Sequence, residues 1–194
     1  MRKGLLPPEG TLWRGSTIDV NGILPGDWKT GADPKDFEAY YGQPLHIYRQ
    51  FNTLSNDELT TEVEFAENGG IVFYSIQPED WNAYTKPSKT WEIRDYARAV
   101  ASVRPHQVMV PVGYEPDLYI PELNGEGAKK NKGTVQDYQD MWDTFARIFE
   151  EEGADNVVWV MDFSWDIREN LWIADLLWPK NVEIGWLFWN MFQF

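Results

Sequence analysis

Short apolar runs recur along this chain and alternate with segments of helical periodicity. The run Ile71–Ile76 is almost wholly apolar and bounded by Gly and Gln-Pro, which is typical of a strand buried on both faces of a parallel sheet. The same reasoning predicts a single α/β domain over residues 1–194. Its six strands are expected at residues 16–23, 44–49, 71–76, 108–112, 156–161 and 182–189, and its helices from residues 33 and 55 and over 91–103, 134–152 and 169–177.

Two α/β architectures fit this pattern, an open doubly wound sheet and a (β/α)8 barrel of the TIM type. No predicted strand is followed by the Gly-rich phosphate fingerprint that nucleotide-binding doubly wound sheets usually carry. Polar and aromatic residues instead follow the carboxyl ends of several strands, where barrel enzymes hold their reactive groups. We therefore expect a (β/α)8 TIM-barrel type fold. It would be incomplete, with about six of the eight β/α units present.

Charge and composition argue against several classes of protein. Asp and Glu number 31 against 17 Lys and Arg, and the resulting net charge of −14 repels nucleic acid. With no cysteine and two histidines, the sequence predicts neither a metal site nor a cofactor. No segment approaches the ~20 apolar residues of a membrane span, and the first residues lack the apolar stretch of a secretory signal. We expect a soluble protein, whose compartment the sequence does not fix.

Aromatic side chains make up 15% of the chain, and 11 of them are tryptophan. Rings at the edge of a cleft stack on the C–H faces of sugars, and rings in the interior supply the core. Trp81, Trp165 and Trp189 follow the third, fifth and sixth predicted strands, at the edge where a barrel binds its substrate. For each of the three, a sugar-binding position and a core position remain open.

Glu115 is the strongest candidate for an acid or base. It follows the fourth predicted strand after Gly113 and Tyr114, and Pro116 fixes the direction in which the chain leaves. A carboxyl group beside tyrosine rings can be partly desolvated, which raises its pKa toward that of a general acid. Asp162, after the neighbouring fifth strand, is the second carboxylate that could act with it.

Four segments of the chain resemble glycoside hydrolase family 26, the barrel family of β-mannanases and related endo-glucanases. They are residues 110–119, 133–142, 147–160 and 178–190, of which the second reads Gly-Thr-x-x-x-Tyr-x-x-x-Trp. The resemblance implies hydrolysis of O-glycosidic bonds in a β-linked mannan or glucan, with no cofactor. It assigns the general acid/base role to Glu115.

The resemblance also defines a substrate site and two departures from the family. Tyr114 stands where the family has histidine, and Trp189 where a tyrosine is usual before Asn190. With Asp162, Trp81 and Trp165, these residues are expected to contact a polysaccharide or oligosaccharide. The family's nucleophile is a Glu on the seventh strand, which we expect to lie in a missing carboxyl-terminal segment or in a partner chain.

Two alternatives to an enzyme stay open at this point. A barrel of this kind that lacks its nucleophile could bind carbohydrate without turnover. It could also act as a structural protein, because an open parallel sheet leaves strand edges and apolar surface for a partner.

Overall fold

The computed structural model describes residues 15–17, 34–52, 54, 60–124, 130–164 and 171–189. Within them, six strands form one sheet in chain order, and every neighbouring pair is parallel. The strands are β1 Gly15–Thr17, β2 Ile47–Asn52, β3 Ile71–Ile76, β4 Val108–Pro111, β5 Val157–Phe163 and β6 Trp186–Trp189. The predicted α/β class with a parallel sheet is confirmed.

Helices are interleaved with these strands. They are α1 Pro34–Tyr41, α2 Thr60–Glu67, α3 Thr90–Ser102, α4 Pro121–Asn124, α5 Val135–Glu151 and α6 Leu171–Leu177, with short 3-10 helices at Ala83–Thr85 and Pro116–Leu118. Helix α5 begins at a capping box, in which Thr134 accepts a hydrogen bond from the Asp137 N–H and the Asp137 carboxylate accepts one from the Thr134 N–H.

The bounds of most predicted elements agree closely with the structure. β3 has the predicted limits, and α3 and α5 differ from theirs by one residue at each end. β2 begins three residues and β6 four residues later than predicted. Residues 18–23 of the predicted first strand and the predicted helix start at residue 55 lie outside the described residues.

The two faces of the sheet differ in what covers them. Alternate side chains of β3, β4 and β5, such as Val72, Val110 and Met161, pack into one large core with α2, α3, α5 and α6. The side chains between them form a smaller apolar cluster on the opposite face, made of Ile71, Phe73, Met109, Val158 and Val160. The described helices of the main core therefore cover a single face of the sheet.

The face of the sheet that the described helices leave uncovered is concave. Arg49 on β2 pairs with Asp162 on β5, and the rings of Phe73 on β3 and Phe188 on β6 have centroids 5.2 Å apart. Each contact joins strands three positions apart, which lie about 14 Å from each other in a flat sheet. The sheet must therefore curve toward this side. We call the side that carries Arg49, Phe73, Asp162 and Phe188 the concave face.

Candidate functional site

Glu115 lies just beyond the carboxyl end of β4, in an unusual backbone conformation. Its φ of 51° and ψ of 46° are left-handed, and it is the one non-glycine residue with positive φ among those described. For a residue with a Cβ this conformation costs about 1–2 kcal/mol. Such a conformation persists only where the surrounding structure imposes it, and it is often associated with a functional site.

Hydrogen bonds on both sides hold Glu115 in place. Its N–H donates to the main-chain oxygen of Asp162 at 2.7 Å, and its carbonyl accepts from the Leu118 N–H at 3.0 Å. Just before it, the Gly113 N–H donates to the carbonyl of Ile76 at 3.0 Å. Glu115 is thereby fixed to the carboxyl ends of β3 and β5 as well as β4, and its side chain is half-buried.

Packing beneath Gly113 supports the same turn. The hydroxyl of Tyr138 lies 3.2 Å from the carbonyl oxygen of Val112 and 3.3 Å from that of Gly113. A Cβ on Gly113, whose φ is +67°, would lie 3.2 Å from the Tyr138 ring and 3.4 Å from Trp81 Nε1. The turn that leads to Glu115 therefore requires glycine for its conformation and for the close approach of these rings.

Asp162 is the second carboxylate of the site, and it is almost wholly buried at 2% exposure. Its side chain pairs with the guanidinium of Arg49, and its Oδ1 accepts no hydrogen bond within the described residues. Burial raises the pKa of Asp162 to about 7, against the opposing effect of Arg49, and the negative charges of Glu115 and Asp117 raise it further. Glu115 and Asp162 are thus electrostatic neighbours.

Arg49 is a buried cation on the concave face, 4% exposed. Its Nε donates to the hydroxyl of Ser75 at 2.9 Å, and its guanidinium also contacts the Asp162 carboxylate. Four ring centroids lie between 4.6 and 5.8 Å from its guanidinium carbon: those of Phe51, Phe73, Phe188 and Tyr114. Such contacts stabilise a desolvated guanidinium.

Three of these rings form what we call the aromatic rim: Phe51, Tyr114 and Phe188. Phe51 is 40% exposed and Phe188 36% exposed, and Tyr114 is half-buried with its ring 5.2 Å from that of Phe51. Arg49, Phe51 and Phe188 are not among the residues predicted from the sequence. Strand alternation in β2 and β6 could have placed them on one face, because residues two apart share a side of the sheet.

The predicted tryptophan positions have different outcomes. Trp81 is fully buried in the main core, so its ring has no face for a sugar, and its Nε1 has no hydrogen-bond partner among the described residues. Trp189 is half-buried, packs against the main core and donates from Nε1 to the carbonyl of Ser164 at 2.8 Å. Trp165 and Asn190 lie outside the described residues.

Asp117 fixes the segment after Glu115 to the end of β5. Its carboxylate accepts hydrogen bonds from the N–H and the hydroxyl of Ser164, and burial raises its pKa. In the described parts of the chain, no group of three or more His, Asp or Glu side chains could hold a metal ion. None of the described helices is long and apolar enough to cross a bilayer.

Comparison with known proteins returns no family model and no curated protein that matches this chain. The resemblance of its motifs to glycoside hydrolase family 26 therefore remains an interpretation of the sequence.

The site combines a partly exposed carboxyl group with flat apolar surface. Glu115 offers a half-buried carboxyl group at the carboxyl ends of the strands, and the aromatic rim offers partly exposed, flat apolar surface nearby. Asp162 cannot activate a water in this state, because its side chain is fully buried and paired with Arg49. Of the two carboxylates of this site, Glu115 is therefore the one that is partly exposed.

Proposed function

We propose that this chain is glycoside hydrolase-like and acts on O-glycosidic bonds of a β-linked polysaccharide, a mannan or a glucan. Glu115 is its general acid/base. The observation that carries the proposal is the position of Glu115, held in a left-handed conformation at the carboxyl end of β4 by the carbonyl of Asp162. This is the end of a parallel strand at which barrel enzymes hold their acids, and the position to which the family resemblance assigns the acid/base.

The proposed architecture is a (β/α)8 barrel of which the described sheet is a part. Its support is the strand order, which runs from β1 to β6 with no reversal in the described residues, as in a barrel. A doubly wound sheet reverses its order and carries helices on both faces. The curvature that brings β2 to β5 and β3 to β6 has the same direction as closure of a barrel.

The proposed substrate is an uncharged saccharide. Phe51 and Phe188 are partly exposed on the concave face, and Tyr114 adds a ring with a polar tip, a combination suited to the C–H faces and hydroxyls of a sugar. The net charge of −14 opposes the binding of polyanions. A neutral mannan or glucan therefore fits this site better than an acidic polysaccharide.

Glu115 alone does not complete the reaction. A retaining glycosidase holds two carboxyl groups about 5–5.5 Å apart, so that one protonates the leaving oxygen while the other attacks the sugar. Asp162 is unsuited to the second role because Arg49 neutralises it in the interior. Following the family resemblance, we assign the nucleophile to a Glu on a seventh strand, beyond the six strands described.

Binding without turnover is the second candidate function. The burial of Asp162 favours it, because the described residues then present only one carboxylate able to act in an inverting or a retaining reaction. The aromatic rim would bind saccharide equally well in this case. Turnover and the role of Glu115 distinguish the two functions.

Two experiments test the proposal. The first reads the coding sequence beyond residue 194: a seventh strand ending in Glu supports the hydrolase, and a stop codon followed by unrelated sequence favours the binding protein. The second measures reducing-sugar release from mannan and mixed-linkage glucan by the full-length product of that reading frame. We expect Glu115→Gln to abolish release and Glu150→Gln, on the exposed surface of α5, to leave it unchanged. Release that survives Glu115→Gln would refute the role of Glu115.

A further inference from the structure

A buried ion pair connects the second strand to the candidate acid. Arg49 lies on β2 and Asp162 on β5, with β3 and β4 between them, and their side chains meet over the concave face. Ser75 on β3 and the surrounding rings fix the guanidinium from its other sides. The Arg49 head group therefore has little freedom to follow Asp162 if the end of β5 moves.

Asp162 contacts Arg49 and Glu115 through different parts of the same residue. Its carboxylate pairs with Arg49, and its main-chain oxygen accepts the Glu115 N–H at 2.7 Å. That hydrogen bond holds Glu115 in its left-handed conformation, which has a cost of its own. A displacement of Asp162 would weaken the bond and release Glu115 toward an unstrained conformation.

We infer that Arg49 is a positioning residue for Glu115, acting through the side chain and the main-chain carbonyl of Asp162. This inference rests on the proposed function only in that it takes Glu115 to be the acid. The geometric coupling between Arg49 and Glu115 exists whether or not the chain hydrolyses a glycan.

The charge state of Asp162 is part of this coupling. Among the described residues, the carboxyl of Asp162 interacts electrostatically with groups from three elements around it. They are Arg49 from β2, Tyr114, Glu115 and Asp117 from the segment after β4, and Tyr138 from α5. Arg49 is the one cation of this set, so it alone favours the ionised carboxylate. Loss of its charge would leave a carboxyl that stays protonated to higher pH.

The test follows the Glu115 amide resonance by NMR from about pH 5 to about pH 9. In the unmodified protein we expect the Glu115 amide shift to titrate with the neighbouring Asp162 carboxyl, and Asp162→Asn to remove that step. Arg49→Met should move the midpoint upward by about one pH unit or more, and Arg49→Lys should restore most of the original value. Arg98→Met, on the exposed side of α3, is the matched control and should leave the midpoint unchanged.

Each outcome decides the inference. If the Glu115 amide shift of the unmodified protein shows no pH-dependent step that Asp162→Asn removes, the inference is overturned. This holds even if the Arg49 variants do not fold. A midpoint that is the same in folded Arg49→Met and Arg98→Met also overturns it. The NMR readout needs no turnover, so a coupled titration together with no sugar release by the full-length product would uphold the positioning role and refute the hydrolase. Where turnover is present, Arg49→Met should alter its pH profile and Arg49→Lys should restore it.

Discussion

Arg49 and Asp162 are 113 positions apart in the chain and on strands three apart in the sheet, and they form a buried ion pair over the concave face. The pair neutralises the second carboxylate of the candidate site while the main chain of Asp162 holds Glu115. Of the two carboxylates, Glu115 is the one that is partly exposed. This arrangement also makes the stability of the sheet and the position of the acid depend on the same two side chains.

Removing one partner of this pair is expected to destabilise the protein strongly. Above about pH 7, where Asp162 is ionised, Asp162→Ala leaves a buried guanidinium without its counter-ion and should lower the free energy of unfolding by about 3–5 kcal/mol. The double variant Arg49→Met/Asp162→Ala should lose less stability than the sum of the losses in Arg49→Met and Asp162→Ala, because no buried charge remains. Urea denaturation of the three variants measures this. Strictly additive losses would contradict a direct interaction between the two side chains.

The pH dependence of stability should carry the signature of Asp162. The folded chain retains the Asp162 proton until about pH 7, and the unfolded chain releases it near the ordinary pKa of 3.8. Between these values the folded state binds more protons, so this carboxyl lowers the free energy of unfolding as pH rises from about 4 to about 7. Asp162→Asn should lose that decline. Equal slopes for the two proteins in urea denaturation across this range would argue against a raised pKa.

Replacing Glu115 by glycine should separate stability from function. Glycine adopts the left-handed conformation without the Cβ penalty, so Glu115→Gly is expected to raise the free energy of unfolding by about 1 kcal/mol. The same change removes the carboxyl group and should abolish any sugar release. Thermal or urea unfolding checks the first effect. If the glycine variant is instead less stable, the contacts of the Glu115 side chain contribute more to the free energy of unfolding than the left-handed backbone conformation costs.

Gly113→Ala tests the packing that supports the turn before Glu115. Gly42 is a matched control, because its φ of +66° is close to the +67° of Gly113, but a Cβ there would meet nothing within 4 Å. We expect Gly42→Ala to lower the free energy of unfolding by about 1 kcal/mol, as measured by urea denaturation. Gly113→Ala should lower it by about 2–4 kcal/mol, because the methyl group would also crowd Tyr138 and Trp81. Comparable losses in the two variants would show that the rings beneath Gly113 can give way.

Local sequence patterns predicted much of this fold because their physical causes are local. The apolar run of β3 has one stable environment, a sheet covered on both faces, and the apolar stripe of α5 defines its buried side from Tyr138 to Phe149. The position of Glu115 near the carboxyl end of β4 could be predicted because a recognisable strand precedes it. The left-handed conformation of Glu115 could not be predicted, because it depends on a hydrogen bond to Asp162 on another strand.

The remaining features depend on curvature and on strand register. Nothing in the sequence near Arg49 indicates that Asp162 is its partner, because the two meet only when the sheet bends. The tryptophan positions illustrate the effect of register. Trp189 packs against the main core, and its neighbour Phe188 lies on the concave face, because successive residues of a strand point to opposite sides.

Saccharide binding at Glu115 and the aromatic rim can be measured by an NMR titration of the chain with mannohexaose and with a mixed-linkage gluco-oligosaccharide. We expect one of the two oligosaccharides to shift the amide resonances of Phe51, Tyr114, Glu115 and Phe188 in a saturable manner. Phe51→Ala should weaken binding roughly fivefold. Trp91 is an exposed ring on α3, and Trp91→Ala should leave binding unchanged. Failure of both oligosaccharides to bind, or binding that shifts only residues away from the concave face, would contradict the account.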